Sequence, residues 1–260
     1  MRVIISAGGT GGHIYPALSI INKIKQRDKN AEILYVGTTN RMEKDIIPKY
    51  NIPYYAIKVT GLERKLSINN LKTLKNFIFA VIKMKKKIKE FKPDIVIGVG
   101  GYVTAPVIYA AKICKVKTII HEQNSVLGVT NRFLSKYVDA VLVSFPDTVV
   151  KAKRVVYTGN PSSEELNIPF SKSELGLSST KKLVLIVMGS LGSKVINDRM
   201  KEILPKFSNK DYEILFITGK DYYDEFSSLK LGKNIKVFEI RWNKWVKKKR
   251  NEVARRNSTE

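Results

Sequence analysis

His13 stands directly behind four glycines, in the run Gly8-Gly9-Thr10-Gly11-Gly12-His13. Glycine lets the backbone approach a phosphate or sugar that any Cβ would hold away. Imidazole is the side chain that exchanges a proton near neutral pH. Two further runs share this character: Gly98-Val99-Gly100-Gly101-Tyr102, and the four polar residues His121-Glu122-Gln123-Asn124. The opening run is neither GxGxxG nor a Walker loop, since no Lys-Ser/Thr pair follows its last glycine. Bland readings stand beside these. A glycine turn after a first strand says only that the domain is doubly wound, and His13 could cap the loop. Glu122 could hold a ligand-positioning hydrogen bond, and Asn124 could cap a helix.

The elements that must carry these groups alternate. The β-branched run Val3-Ile4-Ile5 reads as a buried parallel strand, and Ala17 to Ile24 has helical spacing. Strand, glycine turn and helix aim backbone N–H groups and a helix N-terminus at an anion. Further strands are expected at Glu32 to Gly37, Pro53 to Val59, Pro93 to Gly98, Lys117 to Ile120, Ala140 to Ser144 and from Val155 toward Gly159-Asn160-Pro161. Helices are expected over 42–50 and Ala105 to Ile113, with Asn131 and Arg132 on another. This is the pattern of a parallel sheet with right-handed crossovers, and ligands in such sheets sit beyond the strands' C-terminal ends.

A polar connection over 162–181 leads into Leu183 to Met188 and the turn Gly189-Ser190-Leu191-Gly192-Ser193. A helix near Val195 to Leu204 and strands at Glu213 to Thr218 and Ile235 to Ile240 begin a second domain of the same kind. Three strands do not complete a doubly wound domain of ordinary size. The expected division is therefore 1–161, a partial domain 162–240, and an atypical basic tail 241–260.

The formal charge of +24 on 260 residues admits nucleic acid, an anionic membrane, or a lysine-rich composition without a partner. No RNA-binding aromatic motif or zinc finger accompanies it, so nucleic acid is not expected. The single Cys114 excludes an internal disulfide, and two distant histidines make a zinc site improbable. No apolar run is long enough to span a bilayer, and residues 1–20 lack a signal-peptide layout. Within 66–91, helical spacing predicts Leu71, Leu74, Ile78, Val81, Ile82 and Ile88 on the core face. Phe79 falls off that face, among Lys72, Lys75, Lys83 and Lys86. An aromatic ringed by cations suits the headgroup region of an anionic bilayer, although isolated exposed aromatics are common.

The three motifs together, extended by Gly128-Val129-Thr130-Asn131-Arg132 and Gly159-Asn160-Pro161, resemble the MurG family. These peptidoglycan glycosyltransferases add N-acetylglucosamine to the lipid-linked muramyl-pentapeptide. The resemblance covers about residues 1–240. It implies an α/β fold of two Rossmann-like domains of the GT-B type, the second truncated here, with acceptor in the N-terminal domain and most of the UDP-sugar in the C-terminal one. It implies inverting transfer from UDP-N-acetylglucosamine without a metal or other cofactor, on the cytoplasmic face of the bacterial membrane. By that resemblance Thr10, Gly11, Gly12, Asn124 and Ser190 touch the nucleotide sugar, and Gly100, Gly101, Tyr102 and Asn131 complete the substrate-binding set. His13 and Glu122 are the candidate bases for the acceptor hydroxyl. The Phe79 and lysine surface coincides with the region through which the family sits on the membrane.

The chain departs from the family at two places. Ser163 stands where an arginine is usual, and the later donor-gripping segment has no counterpart before the basic stretch from Arg241. A truncated or frame-shifted product is the expectation this raises. The rival readings are an inactive remnant that binds membrane or lipid-linked precursor, and a related glycolipid glycosyltransferase with another acceptor.

Overall fold

The computed structural model describes residues 1–61, 68–166, 171–188 and 192–239. The expected tail 241–260 and Ser190 lie outside the described residues. The chain divides into two compact units, Met1–Leu166 and Asn167–Glu260.

The first unit is a seven-stranded sheet in the order β3-β2-β1-β4-β5-β6-β7, parallel at every pairing. Its strands are β1 (Arg2–Ala7), β2 (Glu32–Thr38), β3 (Tyr54–Ile57), β4 (Ile95–Gly100), β5 (Lys117–Glu122), β6 (Ala140–Val143) and β7 (Val155–Tyr157). Its helices are α1 (Gly11–Arg27), α2 (Glu43–Ile46), α3 (Ile68–Phe91), α4 (Thr104–Ile113) and α5 (Val129–Leu134). The period of two along β1 builds both cores. Val3 and Ile5 pack with Ile14, Ala17, Leu18 and Ile21 of α1, while Ile4 packs with Val81, Met84, Val107 and Ile108 of α3 and α4. A strand buried on both faces has no polar side to alternate with, hence the unbroken apolar runs.

α3 corrects the sequence reading. Val81 and Ile88 are buried, but Leu71, Leu74, Ile78 and Ile82 are 69%, 54%, 51% and 58% exposed. The packed face is instead Thr73, Ala80, Val81, Met84 and Ile88, with Phe77 beside it. The helix carries two apolar stripes of the same period. Periodicity finds a stripe without saying which one meets the sheet. Phe79, 60% exposed, adjoins the outer stripe, and the Lys75 ammonium lies 5.9 Å from the centre of its ring.

The second unit contains β8 (Leu183–Val187), α6 (Lys194–Ile203), β9 (Glu213–Ile217), α7 (Tyr223–Ser227) and β10 (Ile235–Phe238). Its three strands pair in parallel in the order β10-β9-β8. Among the described residues its core is built on Leu204, Ile214, Phe216, Phe226 and Ile235, with Phe216 and Phe226 edge to face at 4.8 Å. Within the polar connection, Lys172–Leu175 form a single 3-10 turn. β8 lies at the sheet's edge, with Val184, Leu185 and Val187 exposed.

Candidate functional site

β1 and β4 are neighbours from which the chain leaves toward opposite sides, so a crevice opens beyond their C-terminal ends. Both strands end in glycines, and the two turns touch. The Gly8 N–H donates to the Gly100 carbonyl at 3.2 Å. The register slips between Ser6 and Ala7, which pair with Gly98 and Gly100 and leave Val99 as the extra residue. Gly100 and Gly101 have φ of +113° and +86°, which L side chains rarely adopt. Space is closed there as well. A Cβ on Gly100 would lie 2.5 Å from the His13 ring, and one on Gly101 would strike the Gly8 carbonyl. The Thr104 hydroxyl locks the junction by donating toward the Ser6 and Gly100 carbonyls at 3.2 and 2.9 Å.

A cavity of about 480 Å³ opens at this junction. Of the expected site residues it brings together Thr10, His13, Gly100, Gly101, Tyr102, Glu122, Asn124 and Asn131. Gly11 and Gly12 begin α1 just behind Thr10 but do not line the cavity. Thr10 is the helix N-cap by backbone alone, its side chain making no capping bond. Lys72, Lys75, Phe79, Lys83 and Lys86 lie on α3 and not in the cavity.

His13 Nδ1 lies 3.1 Å from the Gly8 carbonyl and 3.4 Å from the Thr10 hydroxyl. A carbonyl can only accept, so Nδ1 carries the proton and Nε2 keeps its lone pair. The same rule gives His121 the opposite tautomer. Its Nε2–H donates to the Gly159 carbonyl at 3.1 Å, and its Nδ1 accepts from Gln123 Nε2 at 3.0 Å.

Glu122 is an organiser of its own loop. It is buried, and Oε1 accepts from the N–H and side-chain amide of Asn124 at 3.0 and 2.9 Å. Its Oε2 accepts from the Gly128 N–H at 3.0 Å and from Asn131 Nδ2 at 2.9 Å. Asn131 also donates to the His121 carbonyl at 3.1 Å, and its buried Oδ1 has no partner among the described residues. Of the four polar residues 121–124, the first two thus serve the interior and only Asn124 is exposed.

Burial pulls the His121 pKa below its ordinary 6.5, against the opposing pull of the Gly159 bond and the Glu122 charge. The unfolded chain then takes up this proton first as pH falls. Stability from His121 is whole above about pH 6.5 and drains as pH drops toward the depressed folded value. Unfolding midpoints measured from about pH 7.5 to about pH 5.5 should fall, and the fall should be shallower in His121→Gln, which has no such proton to bind.

The sequence reading missed Glu43 of α2. It is buried beneath the first glycine turn, where Oε2 accepts from the Gly9 N–H at 3.1 Å. Its Oε1 accepts from the N–H and hydroxyl of Thr38 at 2.9 and 2.7 Å. The available signal was its position, the first acid after β2, five residues beyond the strand's C-terminal end. Arg41, Asn40 and Thr60 also line the cavity without having been expected there.

Comparison with known proteins places the chain in a family. Residues 3–143 match the glycosyltransferase family 28 N-terminal domain. The chain is 50% identical over 230 residues to a Bacillus cereus UDP-N-acetylglucosamine--N-acetylmuramyl-(pentapeptide) pyrophosphoryl-undecaprenol N-acetylglucosamine transferase, covering 86% of this chain and 63% of that one. It is 47% identical over 233 residues to the Bacillus licheniformis enzyme of that name, covering 88% and 64%. The chain thus spans less than two thirds of the length of these relatives. Among solved structures, Acinetobacter baumannii MurG superposes with a TM-score of 0.67 at 28% identity, over 92% of this chain and 67% of that one. A Neisseria meningitidis UDP-GlcNAc 2-epimerase shares the fold alone, with a TM-score of 0.59 at 15% identity over 93% of this chain and 73% of that one.

Proposed function

The chain belongs to glycosyltransferase family 28, in its MurG branch, and from that premise we propose that it takes part in transferring N-acetylglucosamine from UDP-N-acetylglucosamine to the muramyl sugar of a lipid-linked muramyl-pentapeptide. The observation that carries the reading is His13, held as the Nδ1–H tautomer at the meeting of two glycine turns. Its free Nε2 takes the proton of the acceptor hydroxyl as that oxygen attacks the anomeric carbon. The anomeric C–O bond breaks with its electron pair going to UDP, and direct displacement inverts the configuration. The N-terminus of α1 at Gly11 favours an anion. Glu122 supports the reading as the carboxylate that shapes the loop from Asn124 to Asn131, rather than as the base.

The test is transfer of labelled N-acetylglucosamine from UDP to a lipid-linked muramyl-pentapeptide analogue. Product of inverted anomeric configuration is expected. Absence of transfer, with the fold intact, overturns the reading for this chain.

The outer stripe of α3 belongs to the same proposal, as the contact with an anionic membrane surface on the cytoplasmic side. Leu71, Leu74, Ile78, Phe79 and Ile82 supply apolar area, and Lys72, Lys75, Lys83 and Lys86 supply complementary charge. No helix among the described residues is long and apolar enough to cross a membrane. Ile78→Ser with Phe79→Ser should weaken binding to phosphatidylglycerol-containing vesicles by about tenfold or more, given roughly 25 cal/mol per Å² of apolar surface. The unfolding free energy should move by no more than about 0.5 kcal/mol, because neither side chain serves the core. Sedimentation with vesicles and urea unfolding check the two halves.

A further inference from the structure

We infer that Glu43 is a positioning residue for His13, acting through the peptide group that joins Gly8 to Gly9. One side of that group, the Gly9 N–H, donates to Glu43 Oε2 at 3.1 Å. The other side, the Gly8 carbonyl, accepts from His13 Nδ1–H at 3.1 Å. The carboxylate, the peptide and the imidazole therefore form one hydrogen-bonded line. Each bond polarises the next in such a line, so the charge at its far end strengthens the hold on Nδ1–H.

The surroundings of Glu43 fit this role. It is fully buried, and among the described residues it forms no ion pair. A buried carboxylate needs compensation, and here it comes from three donors, two on Thr38 and one on Gly9. The fit leaves no slack. A Cβ on Gly8 would lie 2.5 Å from Glu43 Oε1, and one on Gly37 would lie 2.7 Å from its Cγ. The Tyr35 and Tyr54 hydroxyls nearby are both raised above the ordinary tyrosine range, by burial first and the Glu43 charge second. Their own protons go to the Ala7 and Thr38 carbonyls, which leaves the carboxylate to Thr38 and Gly9. A base needs its proton-accepting nitrogen free and its other nitrogen anchored, and this line provides the anchor from behind the cavity wall.

The kinetic consequence rests on the proposed role of His13; the tautomer consequence does not. Glu43→Gln keeps the shape but has one acceptor oxygen. Facing Thr38's two donors, that oxygen turns the new NH₂ toward the Gly9 N–H, donor against donor, and the 8–9 peptide loses its anchor. The chain has only two histidines, so ¹⁵N-histidine NMR near the basic end of the titration reads both. The wild type should show His13 as Nδ1–H and His121 as Nε2–H, with the Gly9 amide shifted downfield and slow to exchange. Glu43→Gln should leave the His121 pattern unchanged and turn His13 into a mixture of tautomers. In the transfer assay kcat should fall on the order of 10- to 100-fold with little change in KM for acceptor. Arg41, Tyr102 and Glu122 share the cavity, and Tyr35 and Tyr54 adjoin Glu43. All are present in both proteins and cancel in the comparison.

An unchanged His13 signal in a folded Glu43→Gln protein overturns the inference. So does a wild-type His13 in the Nε2–H form, or a Gly9 amide that exchanges at the solvent rate; these decide the matter if the variant does not fold. The NMR result as expected, without sugar transfer, retains the positioning line and removes the transferase reading. Transfer by both proteins with His13 unchanged does the reverse.

Discussion

Replacing His13 by glutamine should lower kcat for sugar transfer by about 10²- to 10⁴-fold, the usual share of a positioned general base. Glutamine can still donate an N–H toward the Gly8 carbonyl, so the loop keeps a partner while the lone pair that takes the proton is gone. KM should change little, because proton transfer belongs to the transition state and not to ground-state binding. Stability should stay within about 1 kcal/mol, since the half-exposed ring contributes one hydrogen bond to the loop's structure. Steady-state kinetics and urea unfolding on the same preparation check this. Activity within tenfold of the wild type would leave His13 as a loop support and remove the base from the proposed mechanism.

Glu122→Ala should act the other way, through the fold. The substitution strips the acceptor from four donors at once: the Asn124 N–H and amide, the Gly128 N–H and the Asn131 amide. Leaving a buried donor unsatisfied costs about 1–3 kcal/mol, and Glu122→Ala orphans more than one, so a loss of roughly 2–5 kcal/mol is expected. The loss should appear as a lower urea midpoint, and the loop from Asn124 to Asn131 should lose its protection from hydrogen exchange. The two variants therefore separate roles that residue type alone leaves equivalent. A Glu122→Gln protein as stable as wild type but unable to transfer sugar would return the base to Glu122.

Much of this was legible in the sequence because it is written in short-range terms. An apolar run that breaks into glycines marks a strand end in a parallel sheet, and two such runs predicted where the crevice lies. His13 was visible because it adjoins one of them. Other features depend on what lies across the fold. Glu43 sits in a segment read only as helical, and its importance comes from facing a turn 34 residues away. Glu122 and Asn124 look alike as polar neighbours, yet β5 runs through Glu122 and buries it while Asn124 lies beyond the strand's end. On α3 the failure was one of degeneracy. Leu71, Leu74, Ile78 and Ile82 make as good a helical stripe as the face that packs, and only the position of α4 decides between them. The second apolar stripe is the one the proposed membrane contact uses.

The edge strand β8 has a consequence for handling the protein. Val184, Leu185 and Val187 present apolar side chains to solvent, and the strand's outer edge pairs with no other among the described residues. Five consecutive apolar residues with an open backbone edge are a template on which a like chain can dock, strand to strand. Lys181 and Lys182 stand immediately before them and act as gatekeepers, since stacking copies in register would crowd their ammonium groups. That protection is electrostatic and therefore borrowed from the buffer. Salt that screens the lysines withdraws it, so concentrated stocks of this protein should keep longest at low ionic strength.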